Sequence, residues 1–259
     1  MYFGAKNISV SFGKEQVLKN ISLEIKEGKT TAIIGVNGSG KSTLLRSLGR
    51  LNKYEGEVLY QDQELGRLSQ REIARHLALL PQKTETPTDI TVYDLIALGR
   101  FPHQGLMQQR LSKEDEDFLE QIMWDTETWE LRDEKLESLS GGQRQRVFIS
   151  MILAQDTDLI LLDEPTTYLD MVHQLEILTL LKSFAEKLGK TVVYVIHDLN
   201  HVARFADELL VLKEGQLVAS GPVTEVFTEK LIQDCFGLRV RLGEDTFTGH
   251  RMILGIQNV

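Results

Sequence analysis

The sequence predicts an α/β fold with a mixed sheet, an antiparallel β section at the N-terminus and an inserted α-helical section. Three observations carry this prediction. First, the apolar, β-branched run Thr30-Thr31-Ala32-Ile33-Ile34 leads into Gly35-Val36-Asn37-Gly38-Ser39-Gly40-Lys41-Ser42-Thr43, after which Leu44, Leu45 and Leu48 recur at helical spacing. A buried strand, a glycine loop and a helix therefore follow one another. Second, two further apolar runs, at 159–162 and 191–196, have the character of buried strands and alternate with helical patterns. Third, strand signals vanish between residues 91 and 136.

The elements follow in order. Residues 2–11 read as a strand. Ile21, Leu23 and Ile25 alternate with Ser22, Glu24 and Lys26, the period of a half-buried strand, and Glu27-Gly28-Lys29 turns the chain into the next one. Residues 57–61 read as a strand. Ser69-Gln70-Arg71-Glu72 has capping-box spacing and opens a helix. Residues 76–80 form an apolar run stopped by Pro81-Gln82, and the polar residues 83–89, with Pro87, read as a loop. Thr91 caps a helix carrying Val92, Leu95, Ile96 and Leu98. Ser112 caps another, acidic in its first turn, with Phe118, Leu119, Ile122 and Met123 facing inward. Trp129 and Leu131 belong to a third, short helical piece. Residues 144–155 read as helix. Residues 171–188 form an amphipathic helix with Leu175, Leu178, Leu181 and Leu188 on one face, closed by Gly189. A hairpin turns at Glu214-Gly215, two short helical pieces run to residue 236, and the tail reads as weak β without evident chemistry.

The bulk properties narrow the function. The chain has 259 residues and is 42% hydrophobic, enough for one large α/β domain or a core with a subdomain. Its net charge of −9 argues against a nucleic-acid partner, which would demand basic surface. The single cysteine, Cys235, forbids an internal disulfide, fits a reducing compartment and reads as a small core residue. Met1 to Lys6 lacks the pattern of a secretory leader. The longest apolar stretch, near 147–154, falls far short of the ~18 residues of a membrane span, so a role at a membrane requires docking onto other chains. The histidines at 76, 103, 173, 201 and 250 show no metal-ligand spacing.

The chemistry is concentrated in a few strings. The loop 35–43 fits G-x-x-x-x-G-K-[S/T]: glycines let several backbone N–H groups wrap a phosphate, the helix start adds a positive dipole end, Lys41 supplies a full charge, and Ser42 offers a hydroxyl to Mg²⁺. Leu139-Ser140-Gly141-Gly142-Gln143 places two glycines and a serine at a second helix start, a second anion site. The run 159–164 ends in Asp163 and Glu164 at the edge of a parallel sheet, where ligands bind. Two acids so close repel unless one meets a metal ion or a proton; Asp163 suits a Mg²⁺ ion and Glu164 suits polarising an attacking water. His197 directly follows the last core strand. Phe12, at the end of the first strand, either stacks on a base or packs in the core, and spacing does not choose between them.

In their order along the chain, residues 35–43, Gln82, 139–143, 159–164, Leu169-Asp170 and His197 resemble the ATPase subunit of an ABC transporter, over nearly the whole sequence. The resemblance implies a P-loop NTPase core in the ABC ATPase fold. Residues 1–86 and 137–259 would form a RecA-like and antiparallel-β core, and 87–136 a helical subdomain. It implies ATP and Mg²⁺ as cofactors. Phe12 would stack on adenine; Gly35, Asn37, Gly38, Ser39, Gly40, Lys41, Ser42 and Thr43 would bind the phosphates; Ser42, Gln82 and Asp163 would serve the metal. Glu164 would be the catalytic base, His197 the switch at the γ-phosphate, and Gln82 a sensor of metal and water that relays to the membrane subunits. Ser140, Gly141, Gly142 and Gln143 would contact ATP held by a second copy, with Leu169-Asp170 lining the seam of a head-to-tail, ATP-dependent dimer. Further partners would be transmembrane permease subunits and, indirectly, an extracytoplasmic substrate-binding protein, which places the chain at the cytoplasmic face of the membrane.

Two local strings are similar to ATPases of importers for iron–siderophore, haem and cobalamin: Asp163-Glu164-Pro165-Thr166-Thr167-Tyr168-Leu169-Asp170 and Gly99-Arg100-Phe101-Pro102-His103. Val36 stands where the family often has proline, Phe12 where it often has tyrosine, and Tyr168 is bulkier than its usual counterpart. A non-transport member of the family, such as a clamp in DNA repair or translation or a soluble metal-cluster assembly ATPase, is the alternative. Clamps usually carry two such domains or long coiled-coil insertions, whereas this chain has one domain and a compact helical insert.

Overall fold

A computed structural model describes residues 1–84, 89–105 and 110–258. Residues 85–88 of the expected loop, and 106–109 beyond the Gly99–His103 string, lie outside the described residues. Strands β1 (Phe3–Phe12) and β2 (Glu15–Ile25) form an antiparallel hairpin. Ile21, Leu23 and Ile25 are buried and Ser22 and Glu24 exposed, as a period of two requires. Strand β3 (Thr30–Ile34) runs into the glycine loop and helix α1 (Lys41–Leu48). Strands β4 (Glu55–Tyr60) and β5 (Gln63–Glu64) complete a four-stranded sheet in the order β2-β1-β4-β5. Helix α2 (Gln70–Ile73) opens on the expected capping box and leads to β6 (Leu77–Leu80). Helices α3 (Val92–Ala97) and α4 (Lys113–Asp125) start at the caps Thr91 and Ser112.

The second half alternates: α5 (Gly141–Ala154), β7 (Leu159–Asp163), α6 (Met171–Leu188), β8 (Thr191–Val195), α7 (Leu199–Phe205) and β9 (Glu208–Lys213). Strand β10 (Gln216–Pro222) turns back on β9, and α8 (Val223–Val226), α9 (Glu229–Phe236) and the hairpin β11 (Leu238–Glu244) and β12 (Arg251–Asn258) close the chain. The main sheet has six strands in the order β10-β9-β3-β8-β7-β6. All its neighbours are parallel except β10 on β9.

The apolar strands are buried on both faces because each face has its own core. Ala32, Ile34, Ile160, Leu162, Val192, Tyr194, Leu209 and Val211 join a core shared with α3 to α7. Their alternating neighbours Ile33, Leu159, Leu161, Val193, Val195, Leu210 and Leu212 join the core under α1 and the antiparallel sheet. Val92, Leu95 and Ile96 of α3 and Leu119, Ile122 and Met123 of α4 belong to the first core, and both helices pack against α5.

Three details differ from the sequence reading. Helix α5 begins at Gly141, earlier than expected, because Ser140 is its N-cap and Gln143 closes a capping box. Leu98 is 54% exposed because α3 has ended at Ala97. Leu188 is 56% exposed as the last residue of α6, whose inner face is Ile177, Leu178, Leu181, Phe184 and Ala185.

The Gly99–His103 string ties the insertion to the core. A Cβ on Gly99 would lie 2.3 Å from the Met151 carbonyl oxygen, so only glycine lets this segment touch α5. Arg100 pairs with Asp115 at 2.7 Å and donates to the Ala154 carbonyl at 3.0 Å. The Pro102 carbonyl accepts from Arg71 and Arg75 at 3.2 and 3.1 Å, and His103 Nε2 lies 2.8 Å from the Gln155 carbonyl.

Candidate active site

Strand β3 lies inside the main sheet, flanked by β9 and β8, and delivers the glycine loop to the sheet's C-terminal edge. Gly35 has φ +154, and a Cβ there would meet the Leu212 carbonyl oxygen at 2.2 Å. Gly40, at φ +99, is the N-cap of α1 and brings no side chain to cap it. The first-turn N–H groups of α1, at the positive end of its dipole, are thereby left for a ligand. Ser39 Oγ is buried and has no hydrogen-bond partner among the described residues. Lys41 is buried, and its Nζ donates to the carbonyls of Gly35 at 2.9 Å and Val36 at 3.1 Å. An ammonium has three donors, so one remains for an incoming anion. Burial pushes the Lys41 pKa down, opposed by the carboxylates of Glu164 and Asp163.

The two carboxylates at the end of β7 have different surroundings. Asp163 is buried; its Oδ1 accepts from Ser42 Oγ at 2.7 Å, and its Oδ2 lies 3.2 Å from Arg46 Nη2. Glu164 leaves the strand in a left-handed conformation, φ +55, which costs a non-glycine residue about 1–3 kcal/mol. That turn aims its carboxylate at three partners. Oε1 lies 2.8 Å from His197 Nε2, and Oε2 accepts from Gln82 Nε2 at 2.6 Å and Thr167 Oγ1 at 2.9 Å. Burial is the largest influence on the Glu164 pKa and raises it. The hydrogen bonds from His197 and Thr167, with the charges of His197 and Lys41, together outweigh burial and hold the carboxyl below its ordinary range. Glu164 is therefore an ionised acceptor, the state a general base needs.

An open cavity of about 430 Å³ joins these groups, lined by Asn37, Gly38, Gly40, Lys41, Thr43, Glu164 and His197 with Glu15, Val17 and Ser42. Phe12 is 56% exposed, which removes core packing as its explanation. Residues 140–143 do not line this cavity. They form the start of α5, where Ser140 Oγ accepts from the Gln143 N–H at 3.3 Å and Gln143 Oε1 accepts from the Ser140 N–H at 3.0 Å.

A glycine cradle over an uncapped helix start, a lysine, a hydroxyl–carboxylate pair and an ionised glutamate have the chemistry suited to a phosphate and a water molecule. The description of a known family agrees: residues 18–167 match the model for ABC transporters, more than half of the chain. The chain belongs to the ABC transporter family. It is the ATPase of that family, built for ATP.

ABC ATPases are also its relatives along nearly the whole chain. The ferric enterobactin transport ATP-binding protein FepC of Escherichia coli (strain K12) is 43% identical over 250 residues, covering 96% of this chain and 92% of FepC. The probable siderophore transport system ATP-binding protein YusV of Bacillus subtilis (strain 168) is 44% identical over 245 residues, covering 94% and 89%. Among solved structures, one described as a metal-chelate type ABC transporter in an inward-facing conformation superposes with a TM-score of 0.84 at 25% identity, covering 98% of this chain and 97% of that one. A dimeric ATP-binding cassette in a post-hydrolysis state, bound to ADP and Pi, superposes with a TM-score of 0.74 at 33% identity, covering 85% and 98%.

Against this ABC ATPase frame, the sequence reading missed two side chains. Arg46, the second partner of Asp163, stands one helical turn beyond Ser42, so the i, i+4 rule could have found it. Thr167 donates to Glu164 across a turn that no sequence period announces.

Proposed function

We propose that this ABC ATPase powers the import of a ferric siderophore or a related metal chelate. The observation that carries the reading is the identity of more than two residues in five with siderophore-transport ATP-binding proteins, sustained over almost the full length of both chains. A hemin import ATP-binding protein of Thermobifida fusca (strain YX), 36% identical over 255 residues, supports the same class of cargo. No described helix is long and apolar enough to cross a membrane. In this reading the ATPase sits at the cytoplasmic face, held by permease subunits that receive cargo from a binding protein outside.

The residues then act as follows. The loop 35–43 wraps the phosphates, and Lys41 turns its ammonium to the outer ones. Ser42 and Asp163, with the Gln82 amide, are hard oxygen donors suited to Mg²⁺, which keeps several waters and needs no cluster of protein carboxylates. Bound there, Mg²⁺ would neutralise charge on the phosphates. Glu164 takes the proton of the attacking water, and His197, held on Glu164, faces the terminal phosphate. Gln82, hydrogen-bonded to that glutamate, senses metal and water and relays to the permease subunits. Ser140 Oγ accepts from Gln143, and among the described residues its O–H has no acceptor, so it can donate to the γ-phosphate of ATP on a second copy. Two sites of this kind form a two-fold, self-complementary interface.

Phe12→Ala is expected to weaken ATP binding by about 1–3 kcal/mol, the worth of one base–aromatic stack, while Phe12→Trp keeps it; a fluorescent-nucleotide titration reads both. The cargo is tested by deleting the coding sequence in its native cell and following uptake of iron-55 as ferric siderophore, haem-bound iron and free ferric citrate. Selective loss of chelate uptake, restored by the wild-type chain but not by Lys41→Ala, is expected. Unchanged uptake of all three would contradict the proposal.

A further inference from the structure

Gly142 has an unusual reason to be glycine. Its φ is not positive, so backbone freedom does not require it. A Cβ built there would instead lie 2.3 Å from His173 Cδ2, 2.6 Å from Cγ and 2.8 Å from Nε2. The imidazole of α6 is laid against the glycine of α5. At the ring's other edge, Nδ1 donates to Asp170 Oδ1 at 2.8 Å, the oxygen that also accepts the His173 backbone N–H at 3.0 Å and so caps α6. Gln174 Nε2 donates to the Leu169 carbonyl at 2.8 Å, and Leu169 Cδ2 lies 4.0 Å from where a Gly141 Cβ would be. One turn further along both helices, Arg146 of α5 pairs with Glu176 of α6 and with Glu127. The seam between α5 and α6 is thus closed first by His173 and then by Arg146.

We propose that His173 is a positioning residue for ATP hydrolysis, holding the 140–143 turn and the 169–170 segment in one relative placement. The inference rests on the reading that both segments face a second copy. His173 itself meets neither the cavity nor the glycine loop. Its effect follows from interface energetics: two surfaces fixed to each other beforehand meet a partner without an ordering cost at the moment of binding. In a two-fold dimer any misplacement is felt at both sites. Removing the ring would leave a gap above Gly142 and take one of two donors from Asp170 Oδ1, while Asp170 keeps its cap on α6. The loss should therefore fall on association between copies and spare nucleotide binding by the single chain.

The test uses the full chain carrying Glu164→Gln, in which hydrolysis does not deplete the ligand. Sedimentation velocity with Mg²⁺ and ATP gives the monomer–dimer constant, and titration with a fluorescent ADP analogue gives the affinity of the chain's own loop. His173→Ala is expected to weaken dimerisation about tenfold, the loss of one hydrogen bond to a charged group, with ADP-analogue affinity unchanged. His173→Asn, whose Nδ2 occupies the place of Nδ1, should recover part of that loss. Equal dimerisation with and without His173, or a parallel fall in ADP-analogue affinity, would overturn the inference alone. A Glu164→Gln chain that stays monomeric with ATP would overturn the shared-site reading and this inference with it.

Discussion

Lys41→Ala is expected to lower kcat/KM for ATP by about 10²–10³-fold, the usual cost of deleting one preorganised donor at developing charge. The geometry makes the role specific. Lys41 is buried, and its Nζ is fixed by the Gly35 and Val36 carbonyls. A buried side chain also has packing to lose, so Lys41→Met separates charge from packing. Both variants should show a loss of this size and both should remain folded. Steady-state ATPase assays with circular dichroism decide the matter. Near-normal hydrolysis by Lys41→Met would remove the lysine from the mechanism.

Glu164→Gln should have the next largest effect. General-base catalysis is worth about 10²–10⁴-fold in rate, and glutamine preserves the shape of the carboxylate while losing its charge. The amide oxygen can still accept from Gln82 and Thr167, so the left-handed turn at residue 164 should persist. With hydrolysis slower than dissociation of the closed form, the ATP-bound dimer should accumulate, because ATP shifts the population toward the state it binds better. Size-exclusion chromatography with Mg²⁺ and ATP is expected to show a dimer for Glu164→Gln and mostly monomer for the same chain with ADP. Full hydrolysis by Glu164→Gln would assign the base elsewhere.

Local physics made much of this molecule legible from its residues. Alternation at Ile21, Leu23 and Ile25 gave β2 its buried face, and serine or threonine caps gave the starts of α2, α3 and α4. The order of strand, glycine loop and helix placed Lys41 and Ser42 where the structure has them. What escaped was set by contacts far apart in the chain. Nothing near Asp163 announces that Arg46 reaches it from α1, and residue spacing does not bring Ser42 to Asp163 or Gln82 to Glu164, which only the family resemblance groups at one site. The left-handed φ at Glu164 and Tyr168 is invisible to periodicity because neither is glycine. The tail read as weak β because its hairpin is fastened from outside: Asn200 Oδ1 of α7 accepts from the Ile253 N–H at 2.7 Å.

In the proposed mechanism one chain holds only half of a working site. The direct test is specific ATPase activity of the purified chain, measured across a wide dilution series at saturating Mg²⁺ and ATP. Activity per chain that rises in proportion to protein concentration and then levels off is the predicted result. A flat line down to the lowest concentration, with the chain monomeric there, would contradict it.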